Sequence, residues 1–225
     1  MNKEFNSNRY YDQFHLNVLE QIRVSKVLDL IGTNKSILDI GAGDGYITKI
    51  LIENNNKCDA IEICRNGVKS IEAAKIKVYD IDLNSNWSEI LPNKYDCVFA
   101  GEIIEHVFDT DQFLKNIKAV LNKDGFLVIT TPNVASLGRR LLLLLGKSPL
   151  LETTARETDA GHIRYFTIDT LKQLLYTNDF EITEYSSDII NFNSGAKFYS
   201  KLLAKLFPRF GRTIIVKAIL IKNEK

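Results

Sequence analysis

Residues 37–51 read Ile-Leu-Asp-Ile-Gly-Ala-Gly-Asp-Gly-Tyr-Ile-Thr-Lys-Ile-Leu, and this stretch restricts the fold more than any other. Ile37, Leu38 and Ile40 form the short apolar run that a buried parallel strand needs. Gly41, Gly43 and Gly45 follow at once, and from Tyr46 onward Ile47, Ile50 and Leu51 share one helical face. A strand, a glycine turn and a helix let backbone approach a ligand closely and present the free N–H groups of a helix start. The spacing is G-x-G-x-G. The dinucleotide-binding pattern puts its third glycine where this chain has Tyr46, and the phosphate-binding G-x-x-x-x-G-K-[ST] is absent.

The same rhythm continues along the chain. Strands are expected at 36–40, 58–63, 76–80, 95–100 and 125–131, with helices at about 45–54, 66–74 and 110–121. Regular alternation of apolar strands with helices argues for a parallel sheet covered on both faces. A helix opens at Thr167-Ile-Asp-Thr170, the last strands fall at 180–187 and 213–221, and an amphipathic helix is expected at 196–207. The expected architecture is one α/β domain over 1–225. It has a Rossmann-like, mostly parallel seven-stranded sheet, an N-terminal helical cap (1–34), a cofactor-binding core (35–132), a lid (133–163) and a C-terminal helix–strand part (164–225).

In open α/β sheets the ligand sits at the carboxyl ends of the strands, at the switch in strand order. Four strand ends here carry suitable groups: the Asp39/Gly41/Gly43/Gly45 loop, Glu62 in Ala60-Ile-Glu-Ile63, Asp80-Ile-Asp82, and Gly101-Glu102. Followed by Glu102-Ile-Ile-Glu-His-Val107 and Leu121-Asn-Lys-Asp-Gly-Phe-Leu-Val-Ile-Thr-Thr-Pro-Asn133, this set resembles the class I S-adenosylmethionine (SAM) methyltransferases. It is most similar to the branch of ubiquinone-biosynthesis O-methyltransferases and bacterial small-molecule and surface-glycan methyltransferases. The resemblance implies SAM as cofactor. Asp39, Gly41, Ala42, Gly43, Gly45 and Tyr46 would cradle its methionine part. Glu62 would take the ribose hydroxyls beside Ile63, Asp80 (or Asp82) with Ile81 would meet the adenine, and Gly101 and Glu102 would close the site.

Glu102, Glu105 and His106 form E-x-x-E-H, and positions i, i+3 and i+4 of a helical turn share a face. His162 follows much later, in Gly161-His-Ile-Arg-Tyr-Phe166. Two carboxylates and two imidazoles suit a divalent cation such as Mg²⁺. Similar sets occur in ubiquinone O-methyltransferases and in small-RNA 2′-O-methyltransferases. The expectation is that Glu102, Glu105, His106 and His162 line the acceptor site and bind a cation there. Alternatively Glu105 and His106 only pack the loop and His162 acts alone as a base. Asn133, Arg164 and Tyr165 are candidate acceptor contacts.

The acceptor expected is a small-molecule hydroxyl, on a sugar or surface-glycan component or on a quinone-type precursor. RNA is disfavoured by a net charge of only +1 and by the lack of a basic stripe. N- or C-methylation and a non-catalytic SAM-binding role stay open, because the glycine loop is blind to the acceptor. The opening residues show no apolar signal region, and Cys58, Cys64 and Cys97 lack metal-type spacing, so a cytoplasmic setting is expected. The Leu137–Gly146 stretch reads as a lid, a membrane-touching patch or a surface packed on the C-terminal helix, the last being favoured. Lys197, Lys201 and Lys205 would form the solvated side of that helix, beside Phe198, Leu202 and Leu206.

Overall fold

A computed structural model describes residues 17–149, 161–192 and 198–221. Seven strands form one sheet in the order β3-β2-β1-β4-β5-β9-β6, where β1 is Ser36–Ile40, β2 Lys57–Glu62, β3 Lys77–Asp80, β4 Tyr95–Gly101, β5 Leu121–Pro132, β6 Phe180–Ser186 and β9 Thr213–Leu220. The pairs from β3 through β5 are parallel, whereas β9 runs antiparallel to both β5 and β6. This is the expected Rossmann-like, mostly parallel seven-stranded sheet. The strand order reverses between β1 and β4, which opens a crevice at their carboxyl ends.

Alternation along the strands divides the core into two layers. Leu38, Ile40, Val98, Ala100, Leu127 and Ile129 face one side, where α4 (Thr110–Val120) and α6 (Ile168–Thr177) pack on them through Phe113, Ile117 and Leu171. Ile37, Cys97, Phe99, Phe126 and Val128 face the other, beneath Val27 and Ile31 of α1 (Val18–Ile31) and Leu51 of α2 (Tyr46–Glu53). The helix α3 (Arg65–Ala73) covers β2 and β3 through Ile71. Central strands buried on both faces explain why their sequences run apolar without polar alternation.

The N-terminal helix packs Val27 and Ile31 against the sheet. Asn17 and Glu20 close a capping box at its start, and Gly32 ends it at φ 75°. Residues 1–16 of the expected cap lie outside the described residues, as do residues 150–160 of the lid.

The C-terminal amphipathic helix is shorter than the expected 196–207. It is α7, Lys201–Leu206, because Tyr199–Ser200 (β8) is extended and pairs with Ile190–Asn191 (β7). Ser200 then caps α7 by accepting from Leu203 N–H at 3.1 Å. Lys197 lies outside the described residues. Leu202 and Leu206 are exposed, and Ala204 is the residue of α7 that is buried.

Asp188 fastens this region to the sheet. Fully buried, it accepts from the N–H groups of Ile189 (2.8 Å) and Thr213 (3.1 Å) and from Arg212 Nε (2.8 Å). Removing one partner of a buried ion pair costs about 3–5 kcal/mol, and Arg212 keeps some water, which favours the low end. Asp188→Ala is therefore expected to lower unfolding free energy by about 3 kcal/mol in a denaturant titration; an unshifted midpoint would show that this network adds no net stability.

Candidate active site

The glycine loop is built by close approach. Gly41, Gly43 and Gly45 have φ of 73°, 60° and 78°, in the left-handed region where side chains are strained. A Cβ on Gly41 would lie 2.8 Å from the Ile103 side chain, and one on Gly45 would lie 2.7 Å from that of Ile71. The N–H groups of Gly41 and Ala42 both donate to the Ile61 carbonyl, at 2.9 and 3.1 Å. Asp44 accepts from Tyr46 N–H at 3.0 Å and starts α2.

Glu62 holds this loop in place. Its buried carboxylate accepts from Gly43 N–H at 2.7 Å, Ile63 N–H at 2.9 Å and Cys64 N–H at 2.7 Å. A residue missed in the sequence makes room for this contact. Gly67 lies inside α3, and a Cβ there would stand 2.2 Å from the Gly43 carbonyl oxygen and 2.9 Å from Glu62 Cγ. A glycine in a helix interior costs about 1 kcal/mol against alanine, and that cost was the available signal that packing demands it.

Asp39 lies buried beneath the loop and accepts a hydrogen bond from Thr48 Oγ1 at 2.6 Å. Burial pushes its carboxyl up to about 7; the Thr48 bond opposes the shift and the Glu62 charge adds to it. Asp80 sits level with Glu62 on the neighbouring strand, and it is exposed. Asp82, the alternate, is engaged in a turn, accepting from Asn84 N–H at 3.0 Å. Ile81 between them is buried. Glu62 and Asp80 thus stand side by side at the crevice edge, beside a cradle with no room for side chains, and these residues fit SAM.

The acceptor side forms at the ends of β4 and β5. Gly101 is forced by the Phe99 ring, which a Cβ would meet at 2.5 Å. Glu102 follows at φ 53°, and its carboxylate turns to Arg23 of α1 at 3.0 Å. Only Ile104–His106 is helical, as a 3₁₀ turn, so Glu102 parts from the shared face expected of E-x-x-E-H. Glu105, His106 and His162 do converge, with ligand atoms all within 4.8 Å of one another. His162 Nε2 lies 3.8 Å from Glu105 Oε1, and the two imidazole rings are 4.9 Å apart.

Three sets of contacts join these segments, which lie 55 residues apart. His106 Nδ1 lies 3.1 Å from the Gly161 carbonyl. The Glu105 carbonyl accepts from the N–H groups of Ile163 and Arg164 at 3.0 and 3.1 Å. The Arg164 guanidinium reaches the carbonyls of Val107 (3.1 Å) and Phe108, so this candidate acceptor contact is engaged in holding the turn. Asn133 is likewise engaged: buried, it donates to the carbonyls of Arg209 (3.1 Å) and Gly211 (2.9 Å) and accepts from Ala135 N–H (3.0 Å). Tyr165 is exposed, its ring edge-on to His162 at 6.5 Å.

Glu105 is almost wholly buried. Thr131 Oγ1 donates to its Oε2 at 2.9 Å, while Oε1 has no hydrogen-bond partner among the described residues. Burial, reinforced by the nearby Glu102 charge, pushes this carboxyl up to about 8. A buried, half-satisfied carboxylate beside two imidazoles fits a cation. Arg23 and Thr131, both unmarked in the sequence reading, complete the polar surroundings.

A family model described as a methyltransferase domain matches residues 13–185. The chain belongs to this methyltransferase family. It is 30% identical over 127 residues to a ubiquinone biosynthesis O-methyltransferase of Rickettsia canadensis, covering 52% of this chain and 54% of that protein. It is 29% identical over 154 residues to the enzyme of the same name from Bradyrhizobium diazoefficiens, covering 66% and 59%. The chain spans about half the length of the curated relatives it matches. Its fold matches a SAM-dependent methyltransferase from Archaeoglobus fulgidus at a TM-score of 0.65, with 17% identity, over 89% of this chain and 93% of that one. It also matches a Burkholderia thailandensis 1,6-didemethyltoxoflavin-N1-methyltransferase solved with S-adenosylhomocysteine, at a TM-score of 0.59 and 14% identity, over 91% and 78%.

Gly67→Ala is expected to displace the Gly43–Glu62 contact and weaken S-adenosylhomocysteine binding at least about tenfold by calorimetry, since a 2.2 Å contact with backbone leaves no soft atom to yield. Unchanged affinity would mean that the loop is not set by α3. Asp39 supports a pH prediction. With its folded value near 7 and its ordinary value at 3.8, the folded state binds the extra proton between them, so this group costs stability as pH rises through that window. Asp39→Asn keeps an acceptor for Thr48 and should gain melting temperature over wild type progressively from about pH 4 to 7, with a constant gap above. A gap independent of pH would refute the assignment.

Proposed function

We propose that the chain binds SAM on the Gly41–Gly45 loop and transfers its methyl group to a hydroxyl of a small molecule bearing two adjacent oxygens. The observation that carries this reading is the convergence of Glu105, His106 and His162 within 4.8 Å at the strand ends next to the loop. The names of the curated relatives support oxygen as the acceptor atom and a quinone-type precursor as its class. A vicinal diol on a sugar or surface-glycan component offers the same two oxygens.

Methyl transfer from a sulfonium is an in-line displacement: the O–C bond forms as the S–C bond breaks, and the hydroxyl proton must leave. Holding both partners aligned lowers much of the barrier. Glu62, Gly67 and the loop set the donor's position; the clamped turns 104–108 and 161–165 set the acceptor's. Glu105, His106 and His162 would hold a divalent cation, which when bound would supply Lewis acidity toward the acceptor hydroxyl. Where no cation is held, the lone pair of His162 Nε2, 3.8 Å from Glu105 Oε1, can take the hydroxyl proton instead.

The test is release of S-adenosylhomocysteine with a catechol and a vicinal-diol sugar as acceptors. His162→Ala should cut kcat by at least about 100-fold, within the range for a general base, while SAM affinity stays within about twofold. Chelation with EDTA should abolish turnover and added Mg²⁺ should restore it. Full activity after chelation would remove the cation from the reading and leave His162 as the base; an unaltered kcat in His162→Ala would sink both.

A further inference from the structure

The sequence favoured burial of Leu137–Gly146 against the C-terminal helix, and the structure grants this only at its start. Helix α5 (Leu137–Leu144) packs Gly138 against Asn191 of β7. Leu137 meets Leu203 of α7 across an apolar cavity of about 260 Å³ shared with Phe207 and Phe210. Beyond that first turn the helix projects: Leu143, Leu144 and Leu145 are 64%, 81% and 71% exposed. Helix α7 does the same with Leu202 and Leu206, 67% and 61% exposed, and Phe198 just before it is 72% exposed. Both helices flank the β7–β8 ribbon and lie on one module at the carboxyl end of β5. Single exposed leucines are ordinary, but a cluster of this kind on two adjoining helices is an interaction surface.

The charge on the same segments is one-sided. Residues 136–149 and 198–213 hold Arg139, Arg140, Lys147, Lys201, Lys205, Arg209 and Arg212, seven of the chain's 29 cations, and none of its 28 acids. The whole chain is +1 and these segments are +7, so the rest is −6. Arg212 and Arg209 are paired with Asp188 and Asp169, and Arg140 lies over the Phe210 ring. Lys147, Lys201 and Lys205 are exposed beside the leucines.

We propose that the face made by α5 and α7 seats the protein on an anionic lipid surface. Exposed leucines and phenylalanines enter the boundary of headgroups and acyl chains, and the lysines meet the lipid phosphates. No helix among the described residues is long and apolar enough to cross a membrane. A second copy on the same face would set cations against cations, which opposes a symmetric pair. A trough beside the face, about 500 Å³, is lined by Leu206, Phe207 and Phe210 with Lys172 and Arg209, and offers room for part of an acyl chain. This proposal is independent of the identity of the methyl acceptor.

The test is flotation of the full chain with vesicles of phosphatidylglycerol and phosphatidylcholine, against vesicles of phosphatidylcholine alone. Binding is expected to the anionic vesicles and to fall at high salt. Leu143→Glu with Leu144→Glu should lower the partition at least about tenfold, and Lys201→Glu with Lys205→Glu should do so independently. All four positions are exposed, so melting temperature and S-adenosylhomocysteine affinity should stay at wild-type values. Wild type that fails to float with anionic vesicles at low salt overturns the proposal. So do leucine variants that bind undiminished, or a wild-type dimer that the leucine pair dissociates.

Discussion

The three hydrogen bonds that the Glu62 carboxylate accepts, from Gly43, Ile63 and Cys64, are the constraint on which the site depends. They tie the end of β2 to the middle of the loop that leaves β1, so two parallel strands share one terminus. The N–H groups of Gly41 and Ala42 find the Ile61 carbonyl, and the buried carboxylate takes that of Gly43 together with those of Ile63 and Cys64 at short range. Everything around the contact accommodates it. Gly67 removes the side chain that would strike Gly43, Ile71 fills the space above Gly45, and Thr48 pins α2 to Asp39 below. The crevice at the β1/β4 switch is therefore a built cavity edge and not a slack loop.

Much of this was legible. Apolar strands, glycine punctuation and helical spacing fix local structure through short-range chemistry, and the strand ends at Asp39, Glu62, Asp80 and Gly101 fall where that chemistry places them. The residues that escaped notice act through long-range contact. Gly67 matters because of an atom 24 positions earlier, Arg23 because α1 lies across the sheet from β4, and Thr131 because β5 brings its hydroxyl to Glu105. None of these has a local signature beyond a glycine where a helix would favour alanine. Glu102 shows the opposite failure. Its spacing to Glu105 and His106 assumes a regular helical turn, but a left-handed residue after β4 breaks the turn and sends its carboxylate to Arg23.

The candidate acceptor contacts illustrate how polar residues near a site are divided between ligand and scaffold. Arg164 and Asn133 look like recognition groups in sequence, yet each is engaged by backbone carbonyls. Arg164 closes the carbonyls of Val107 and Phe108, and Asn133 closes those of Arg209 and Gly211. Loops that carry catalytic side chains expose orphaned carbonyls by their nature, and a long polar side chain that satisfies two of them makes the loop a fixed platform. His162 is held by what surrounds it in this way, since Glu105 O anchors Ile163 and Arg164 directly after it.

Asn133 also links the exposed face of α5 and α7 to the Glu105–His106–His162 cluster. It stands one residue beyond β5, the strand whose Thr131 donates to Glu105, and three before Ser136, the N-cap of α5. Its side chain grips the 209–211 backbone that follows α7, and Asp188 locks the next residues, Arg212 and Thr213, to the β6–β7 connection. The apolar, basic face is thus joined to the acceptor cluster through strand and buried hydrogen bonds and not through a flexible tether. A displacement of α5 and α7 would have to break the Asn133 and Asp188 hydrogen bonds, of which the Asn133–Gly211 and Asp188–Thr213 bonds are buried. The face of α5 and α7 and the Glu105–His106–His162 cluster are consequently held in one orientation to each other.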